Sequence, residues 1–461
     1  MDPSSDTQYA ALSYCWGTNE NLKMTRSNIR AFEQGIDPRQ LPRTISHAVE
    51  TSTRLGIRYL WVDALCIIQD DRADWQAECS RMAQTYRQCQ VMLSALDSTG
   101  ADQGFLGRRN AESQALWRVD ERIWIRKRLP HVQTIFESAA LSQRGWTFQE
   151  RMLAPRILHF SSQVKSCSGS VRRALDAISI TDAKVLDPDT GLLTLWYVNV
   201  SVFSQRALTR KSDKVVALAG VAAIVEEKSG FTHACGIWPE DIYSLLWTRF
   251  PVAHRLWQGP QPESTLEFPS WTWASMDCRI VYEISGSERT PSVDDASILD
   301  VSLQTLTLQG LLKSIVVHRD TEHDVDSQAR LWRGWIHNYK MTSVGFKEDF
   351  VSATIDHVGT WDMAKPTHSG GNANQPRQTI QHEPTSLRCH ALFIARMLSP
   401  RTPQCKPPQF PQSSQSWFLL VVPNDNHTWR RVGLGFVDAD VGDTDAHAFF
   451  ADSERCTIEI V

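Results

Sequence analysis

The sequence lacks an apolar run long enough to cross a membrane, since no window approaches about eighteen uninterrupted apolar residues. Its start, MDPSSDTQYAALSY, has no basic region followed by an apolar stretch, so it shows no secretory signal. The ten cysteines are scattered and form no Cys-x-x-Cys pair, which is typical of reduced, mostly buried thiols. These absences predict a cytoplasmic protein that does not enter or bind a membrane.

The charge balance and the motif content exclude further classes of protein. A net charge of −4 and a pI near 6.4 provide no bulk attraction for nucleic acid, so we predict no nucleic-acid partner. The sequence has no phosphate-binding Gly-x-x-x-x-Gly-Lys loop, no Gly-x-Gly-x-x-Gly dinucleotide fingerprint, no His-Glu-x-x-His zinc motif and no Gly-x-Ser-x-Gly nucleophile motif. We therefore predict neither a metal nor a resident cofactor.

The first hundred residues alternate between strand and helix patterns. Residues 9–16 are short, apolar and aromatic, which predicts a strand. Residues 41–56 predict an amphipathic helix, and the continuous Leu, Val and Ile content of 59–71 predicts a strand covered on both faces. A second helix capped by Asp74 and a strand over 91–96 follow. The order predicts an α/β fold, a Rossmann-like parallel sheet flanked by helices.

The rest of the chain changes in composition along its length. A chain of 461 residues predicts two or three domains, and we place the first at 1–175. A mainly helical extension that packs on it is predicted at 176–296, with helices at 212–225 and 239–249. A β-rich region is predicted at 297–461, because its apolar residues alternate. Proline-rich loops are predicted within it at about 364–386 and 399–414.

A single carboxylate, Asp63, interrupts the apolar stretch YLWVDALCIIQDD, which ends in Gln69, Asp70 and Asp71. An acid in an apolar segment must be hydrogen-bonded, paired or protonated, because its bare charge is unfavourable there. One interpretation is structural, with backbone N–H groups or an arginine satisfying Asp63. The other is a role in ligand binding or catalysis, since ligands of open α/β sheets bind beyond the carboxyl ends of the strands.

A second polar segment, RGWTFQER, lies at 144–151. Its structural interpretation is a helix start with Thr147 as N-cap and Glu150 closing a capping box. Its functional interpretation is a helix N-terminus that faces a cleft and favours an anion, and the two are compatible. By contrast, Cys66 is predicted to be structural, because a thiol inside an Ile-rich strand is usually inert. His47, on the first predicted helix, and His159, before Phe160, are also predicted to be structural.

Four segments of the sequence together resemble a known family. They are YAALSYCWG (9–17), LPRTISHAVETSTRLGIRYLWVDALCIIQDD (41–71), DWQAECSRMAQTY (74–86) and RGWTFQER (144–151). In order and spacing they are similar to the HET domain, the heterokaryon-incompatibility domain of fungi. The resemblance implies a cytoplasmic effector in nonself recognition and programmed cell death, with protein partners in an incompatibility pathway. The HET domain has been likened to TIR domains, some of which cleave NAD with a glutamate, so a remotely TIR-like fold and a nucleotide ligand are also implied.

Two alternatives to the effector function follow from the resemblance. One is an enzyme that hydrolyses a nucleotide, with NAD as candidate substrate, because nicotinamide leaves as a neutral group and a carboxylate can stabilise the oxocarbenium-like ribose. Glu150 is the first candidate for that carboxylate and Asp63 the second. The other is a family member recruited to biosynthetic small-molecule chemistry. The predicted ligand-binding residues are Ser13, Trp16, Gly17, Gln69, Asp70, Trp146, Gln149 and Arg151, with a tryptophan to stack on a base and Arg151 to meet a phosphate.

Overall fold

The structure is a computed structural model, and its chain divides into two compact units, Met1–Gly230 and Phe231–Val461. The residues that it describes are 7–18, 21–107, 116–120, 123–126, 132–162, 165–167, 191–249, 268–282, 288–289, 292, 295–319, 333–336, 351–355, 386–398, 413–424, 426–440 and 449–461. The predicted proline-rich loops lie outside the described residues, apart from the ends of their ranges.

The first unit alternates strands and helices along most of its length. Its elements in chain order are β1 (Tyr9–Ser13), α1 (Ile29–Gln34), α2 (Arg43–Arg54), β2 (Tyr59–Trp61), α3 (Asp63–Cys66), α4 (Arg72–Gln88), β3 (Val91–Ala95), β4 (Leu116–Arg118), β5 (Trp124–Arg126), α5 (Val132–Ser138), α6 (Trp146–Leu153), β6 (Ile157–Phe160), β7 (Lys165–Cys167), α7 (Gly191–Phe203) and α8 (Ala219–Ser229).

A parallel sheet forms the centre of the first unit and confirms the predicted α/β architecture. The strand order is β2-β1-β3-β6-β7, and the first four strands are parallel while β7 is antiparallel. The middle strands are the most apolar, with Leu12 and Leu93 almost fully buried. Helix α2 adds Ile45 and Ala48 to the same core, because its apolar residues recur at three- and four-residue steps. The sheet thus brings the ends of β1 and β2 to one edge.

The prediction of one long buried strand at 59–71 is wrong. β2 contains only three residues and is the outer strand of the sheet, so Tyr59 is 46% exposed. The chain then turns into α3, whose first residue is Asp63. The segment is apolar because Val62, Ala64 and Ile67 are buried. A short apolar run does not distinguish a buried strand from a buried helical turn.

Two predicted helix starts also differ from the structure. Asp71, and not Asp74, is the N-cap of α4, since its Oδ1 accepts hydrogen bonds from the amides of Ala73 and Asp74. Helix α6 has Gly145 at its N-cap position, and Thr147 lies inside the helix, where its hydroxyl donates to the Leu141 carbonyl. The capping box predicted for Thr147 and Glu150 therefore does not form, and Glu150 is available for other contacts.

The segment after residue 190 is helical in the first unit, as predicted. Of the helix predicted at 212–225, only the part from Ala219 onward is α-helical, as the start of α8, because two 3-10 turns, Lys211–Asp213 and Val216–Leu218, precede it. The helix predicted at 239–249 is wrong, because that segment contains one 3-10 turn and the strand β8. Helix α8 packs on α4 and α6, and α7 packs on α8. The described helices include none long and apolar enough to cross a membrane.

The second unit is β-rich, which confirms the prediction from alternating residues. Nine of its described strands join in one mixed sheet, and its apolar core includes Phe393, Phe418 and Leu420. Its strands are β8 (Trp247–Arg249), β9 (Ile280–Tyr282), β10 (Glu288–Arg289), β11 (Ser297–Val301), β12 (Leu306–Arg319), β13 (Arg333–Ile336), β14 (Val351–Ile355), β15 (Ser386–Leu398), β16 (Ser413–Pro423), β17 (Trp429–Asp440) and β18 (Glu454–Ile460).

Candidate functional site

Asp63 lies at the carboxyl end of β2, at the first position of α3. Its Oδ2 accepts a hydrogen bond of 2.8 Å from Trp16 Nε1, and its Oδ1 accepts one of 2.7 Å from the Ala64 amide. Burial raises the pKa of the Asp63 carboxyl, while these hydrogen bonds and the charge of Arg144 oppose the rise. The parallel strands account for the geometry, because Trp16 follows the end of β1 beside β2.

Glu150 lies on α6 and is 5% exposed. Burial raises the pKa of its carboxyl to about 7, and the negative charge of Asp63 adds to the rise. The hydroxyls of Ser13 and Tyr86 and the charge of Arg144 act in the opposite direction. Ser13 Oγ is buried, but it forms no hydrogen bond of normal geometry with a described residue. Because the charge of Asp63 acts on the Glu150 carboxyl, the two acids predicted from the sequence lie within electrostatic reach of each other.

Two tyrosines and an arginine complete this group, which we call the acid cluster: Ser13, Tyr14, Asp63, Tyr86, Arg144 and Glu150. Tyr86 Oη donates to the Leu12 carbonyl at 3.2 Å, and Arg144 Nη1 donates to the Tyr14 carbonyl at 2.6 Å. Burial, together with the charges of both acids, raises the pKa of each tyrosine above its ordinary value. The tyrosines are thus neutral donors, and Arg144 is the cation that faces both carboxyl groups.

Three further predicted residues, Gln69, Asp70 and Gly17, lie in turns and loops outside the acid cluster. Gln69 Nε2 donates to the carbonyls of Asp63 and Ile67 at 3.1 and 3.0 Å, and so holds the turn after α3. Asp70 is exposed and accepts from the Arg26 amide at 2.8 Å. Gly17, at φ +81°, faces the Gly100 backbone so closely that a Cβ would lie 2.9 Å from its Cα.

Two predicted residues of α6 face neighbouring helices. Trp146 meets the edge of Trp75 on α4, with ring centroids 6.2 Å apart. Gln149 is buried, and its Oε1 accepts a 3.1 Å hydrogen bond from the Gly220 amide of α8. These contacts give both side chains a packing role, and a ligand role for them stays a prediction.

Arg151, the last predicted residue, lies over the ring of Phe136 at 4.9 Å and lines a narrow pocket together with Ser13. Arg206 lines the same pocket. Nothing in the sequence indicated Arg206, Tyr14 or Tyr86, because tyrosines in apolar segments look like core residues and Arg206 is distant in sequence. Arg144 was visible in the polar segment at 144–151 together with Glu150, but nothing in the sequence indicated that Arg144 also faces Asp63.

The arrangement permits proton transfer at neutral pH. A carboxyl with a pKa near 7 is populated in both protonation states there, which suits a general acid or base. The Cys66 residue is exposed, but desolvation of its thiol by the surrounding atoms raises the pKa to about 11, and its sulfur accepts from the Val62 amide. The thiol is therefore less suited to nucleophilic chemistry. Among the described residues, no three His, Cys, Asp or Glu side chains form a metal-binding group.

Comparison of the sequence with known proteins finds a family match in the first unit, where the site lies. Residues 9–150 match the family model described as heterokaryon incompatibility protein (HET). Over 219 residues the chain is 23% identical to vegetative incompatibility protein HET-E-1 of Podospora anserina, and this similarity covers 46% of the chain and 14% of that protein. No solved structure matches the chain. The matched segment ends at Glu150, so it contains both acids of the cluster, and residues 9–150 of this chain are a HET domain.

Proposed function

We propose that this protein is an effector of incompatibility-type cell death in a fungus, acting in the cytoplasm during nonself recognition. The observation that carries the proposal is the HET domain at residues 9–150, in a chain similar to a protein named for vegetative incompatibility. The chain spans only 14% of that relative, so the effector activity and its protein partners are part of the proposal. We assign partner binding to the β-rich region at 297–461.

Inducible expression of the full chain in a filamentous fungus tests the effector function. Expression should arrest growth and admit a viability dye, and Asp63→Asn or Glu150→Gln should relieve the arrest if the acid cluster is required. Glu33→Gln is the matched control, because Glu33 is exposed on α1 and the chemical change is the same. Normal growth with a verified level of the native chain would contradict the effector proposal.

A second candidate function is the hydrolysis of NAD, and the pKa of Glu150 favours it. In this reaction the bond between ribose C1′ and the nicotinamide nitrogen breaks, and its electron pair neutralises the pyridinium ring. A water oxygen then bonds to C1′, and the water proton passes to the Glu150 carboxylate and on to solvent. ADP-ribose, nicotinamide and a proton result. Asp63 and Arg144 set the charge state of Glu150, and Trp16 supplies a ring for stacking.

Nicotinamide release by the purified full chain tests this second function. The rate should rise with pH through about 7, because the base form of Glu150 is required. Glu150→Gln should lower kcat by roughly a hundredfold or more, and Glu33→Gln should not change it. Absence of turnover, or turnover that is equal in all variants, removes the enzymatic function and leaves the effector function standing.

A further inference from the structure

A narrow pocket adjoins the acid cluster on the face of the sheet formed by β1, β3 and β6 in the first unit. It is partly open and has room for about one water molecule. Its walls come from β1, β3, β6, α6 and the segment after α7, so it belongs to the fold of this unit and not to one loop. The residues that line it are Ser13, Met92, Ser94, Leu96, Leu141, Ser142, Thr147, Arg151, His159 and Arg206.

The ionisable wall of the pocket is positive. Arg151 and Arg206 both line it, and no aspartate or glutamate does so. Arg206 donates from Nη1 to the Arg144 carbonyl at 3.3 Å and lies over Phe148 at 4.7 Å, and it forms no ion pair with a described residue. Burial and then the charge of Arg151 lower the Arg206 pKa to about 9, and the negative charge of Glu150, which lies outside the pocket lining, opposes this shift. Two guanidinium groups in one poorly solvated site therefore repel each other, and an anion between them offsets that repulsion.

Two buried polar atoms on the pocket wall also lack partners of normal geometry among the described residues. They are Ser13 Oγ and His159 Nδ1, on side chains that are 2% and 4% exposed. Burial holds the pKa of His159 at about 3, so its ring is neutral and one tautomer presents Nδ1–H as a donor. Phe136 fixes the position of this ring, at a centroid distance of 4.5 Å, and also underlies Arg151. The Ser13 hydroxyl also acts on the Glu150 carboxyl, so His159 Nδ1 is the more clearly unsatisfied of the two. An unsatisfied donor is costly in a native core, so its presence here points to an acceptor that binds.

We propose that this pocket binds a phosphate group, with one oxygen inserted between Arg151 and Arg206 and the rest of the group at the opening. Two positive charges match a phosphate dianion better than a carboxylate, and guanidinium groups with hydroxyl donors are the usual partners of phosphate oxygens. The site is distinct from Glu150, which does not line the pocket. It binds a phosphate whether or not the protein hydrolyses a nucleotide.

Calorimetric titration of the full chain with inorganic phosphate and with AMP, at matched ionic strength in chloride, tests the site. Both ligands should bind saturably and compete with each other. Arg151→Gln, Arg206→Gln and Ser13→Ala should weaken binding, the arginine variants by about tenfold or more. Arg210→Gln is the control, since Arg210 is exposed and four positions from Arg206, and its affinity should equal that of the native chain.

The two ligands separate the sources of the phosphate. Tighter binding of AMP identifies a nucleotide, and equal affinities identify free phosphate. Arg206 also packs on Phe148, so Arg206→Gln could fail to fold. In that case the phosphate affinities of Arg151→Gln and Ser13→Ala test whether the pocket binds phosphate. No saturable binding, or equal weakening in Arg210→Gln, would overturn the proposal. Loss of NAD hydrolysis without loss of phosphate binding would count only against the enzymatic function.

Discussion

Glu150 is an acid of the cluster whose charge state depends on folding. Burial raises its pKa to about 7 from an ordinary value of 4.5, so folding favours the protonated form. A group whose pKa is higher in the folded state stabilises that state fully at pH values below its unfolded-state pKa. This stabilisation is lost as the pH rises through its folded-state pKa. The native protein therefore loses stability between about pH 4.5 and pH 7 on account of this carboxyl.

Glu150→Gln should remove that loss, because an amide keeps the shape of the side chain and cannot ionise. The free energy of unfolding of the variant minus that of the native protein should increase between pH 4.5 and pH 8, by on the order of 3 kcal/mol. Urea unfolding at a series of pH values measures it. Glu33→Gln, on the exposed face of α1, should show no such trend. A difference that is the same at every pH would contradict the role of burial.

The sequence located the two acids of the cluster but not their surroundings. Asp63 and Glu150 stand out because each is a carboxylate among apolar and aromatic neighbours. Tyr14 and Tyr86 also look apolar in their contexts, and nothing in the sequence shows that their hydroxyls face the acids. The long-range partners depend on how α4 and α6 pack on the sheet, which residue patterns do not encode.

At the scale of elements, the pattern of apolar residues predicted the sheet correctly. It did not predict where a strand ends and a helix begins. The strands at 9–16 and 91–96 are confirmed as β1 and β3, because central strands are apolar on both faces. The segment at 59–71 has the same apolar character, but it is divided between an outer strand and a helical turn. The error has a physical cause, since burial selects apolar residues in either conformation.

The loop that follows β3 is tied to α2 through His47. His47 Nδ1 accepts hydrogen bonds from the amides of Phe105 and Leu106, at 2.9 and 3.0 Å. Acceptance requires an unprotonated nitrogen, and burial together with Arg43 lowers the His47 pKa. A histidine whose pKa is lower in the folded state stabilises that state at pH values above its unfolded-state pKa, about 6.5. This stabilisation is lost as the pH falls through its folded-state pKa.

Amide hydrogen exchange should report this loss at one place in the fold. After correction for the intrinsic rate, protection of the Phe105 and Leu106 amides should decrease as the pH falls below about 6.5. His47→Phe should abolish the pH dependence and lower protection at every pH, because the ring edge contact with Phe105 persists while the acceptor is absent. Protection that is constant between pH 7.5 and pH 5 would exclude His47 as the acceptor that holds the loop.

Helix α8 approaches the HET domain at Gly220. A Cβ at this position would lie 2.3 Å from the Ala83 Cβ and 2.8 Å from Gln149 Oε1, so neither α4 nor α6 has space for it. Gly220→Ala should lower the free energy of unfolding by about 1–3 kcal/mol, in urea unfolding at pH 7. Gly107→Ala is the matched control, since a Cβ there meets nothing within 4 Å. Equal stability of the two variants would show that α8 moves aside.

At the scale of the molecule, the compact unit is longer than the matched family segment. The match covers residues 9–150, and the first unit extends to Gly230. Helices α7 and α8 close the buried face of α6, where Phe148 meets Phe203 at 5.6 Å and Gln149 accepts from Gly220. The sequence predicted a domain boundary at 175 from the change in composition alone, and whether folding respects that boundary stays a prediction.

A fragment of residues 1–230 should fold as a cooperative unit, while a fragment of residues 1–167 should not, although the shorter one keeps every described strand of the sheet. The reason is the apolar surface that α7 covers, since Leu193, Trp196, Val200 and Phe203 are almost fully buried. Burial of one such side chain contributes roughly 1.5–3 kcal/mol, and a domain has only about 5–15 kcal/mol in total. Calorimetry of both fragments and binding of a hydrophobic dye measure the difference. A sharp transition in the 1–167 fragment, at the same temperature as in 1–230, would mean that the HET domain completes its core without these helices.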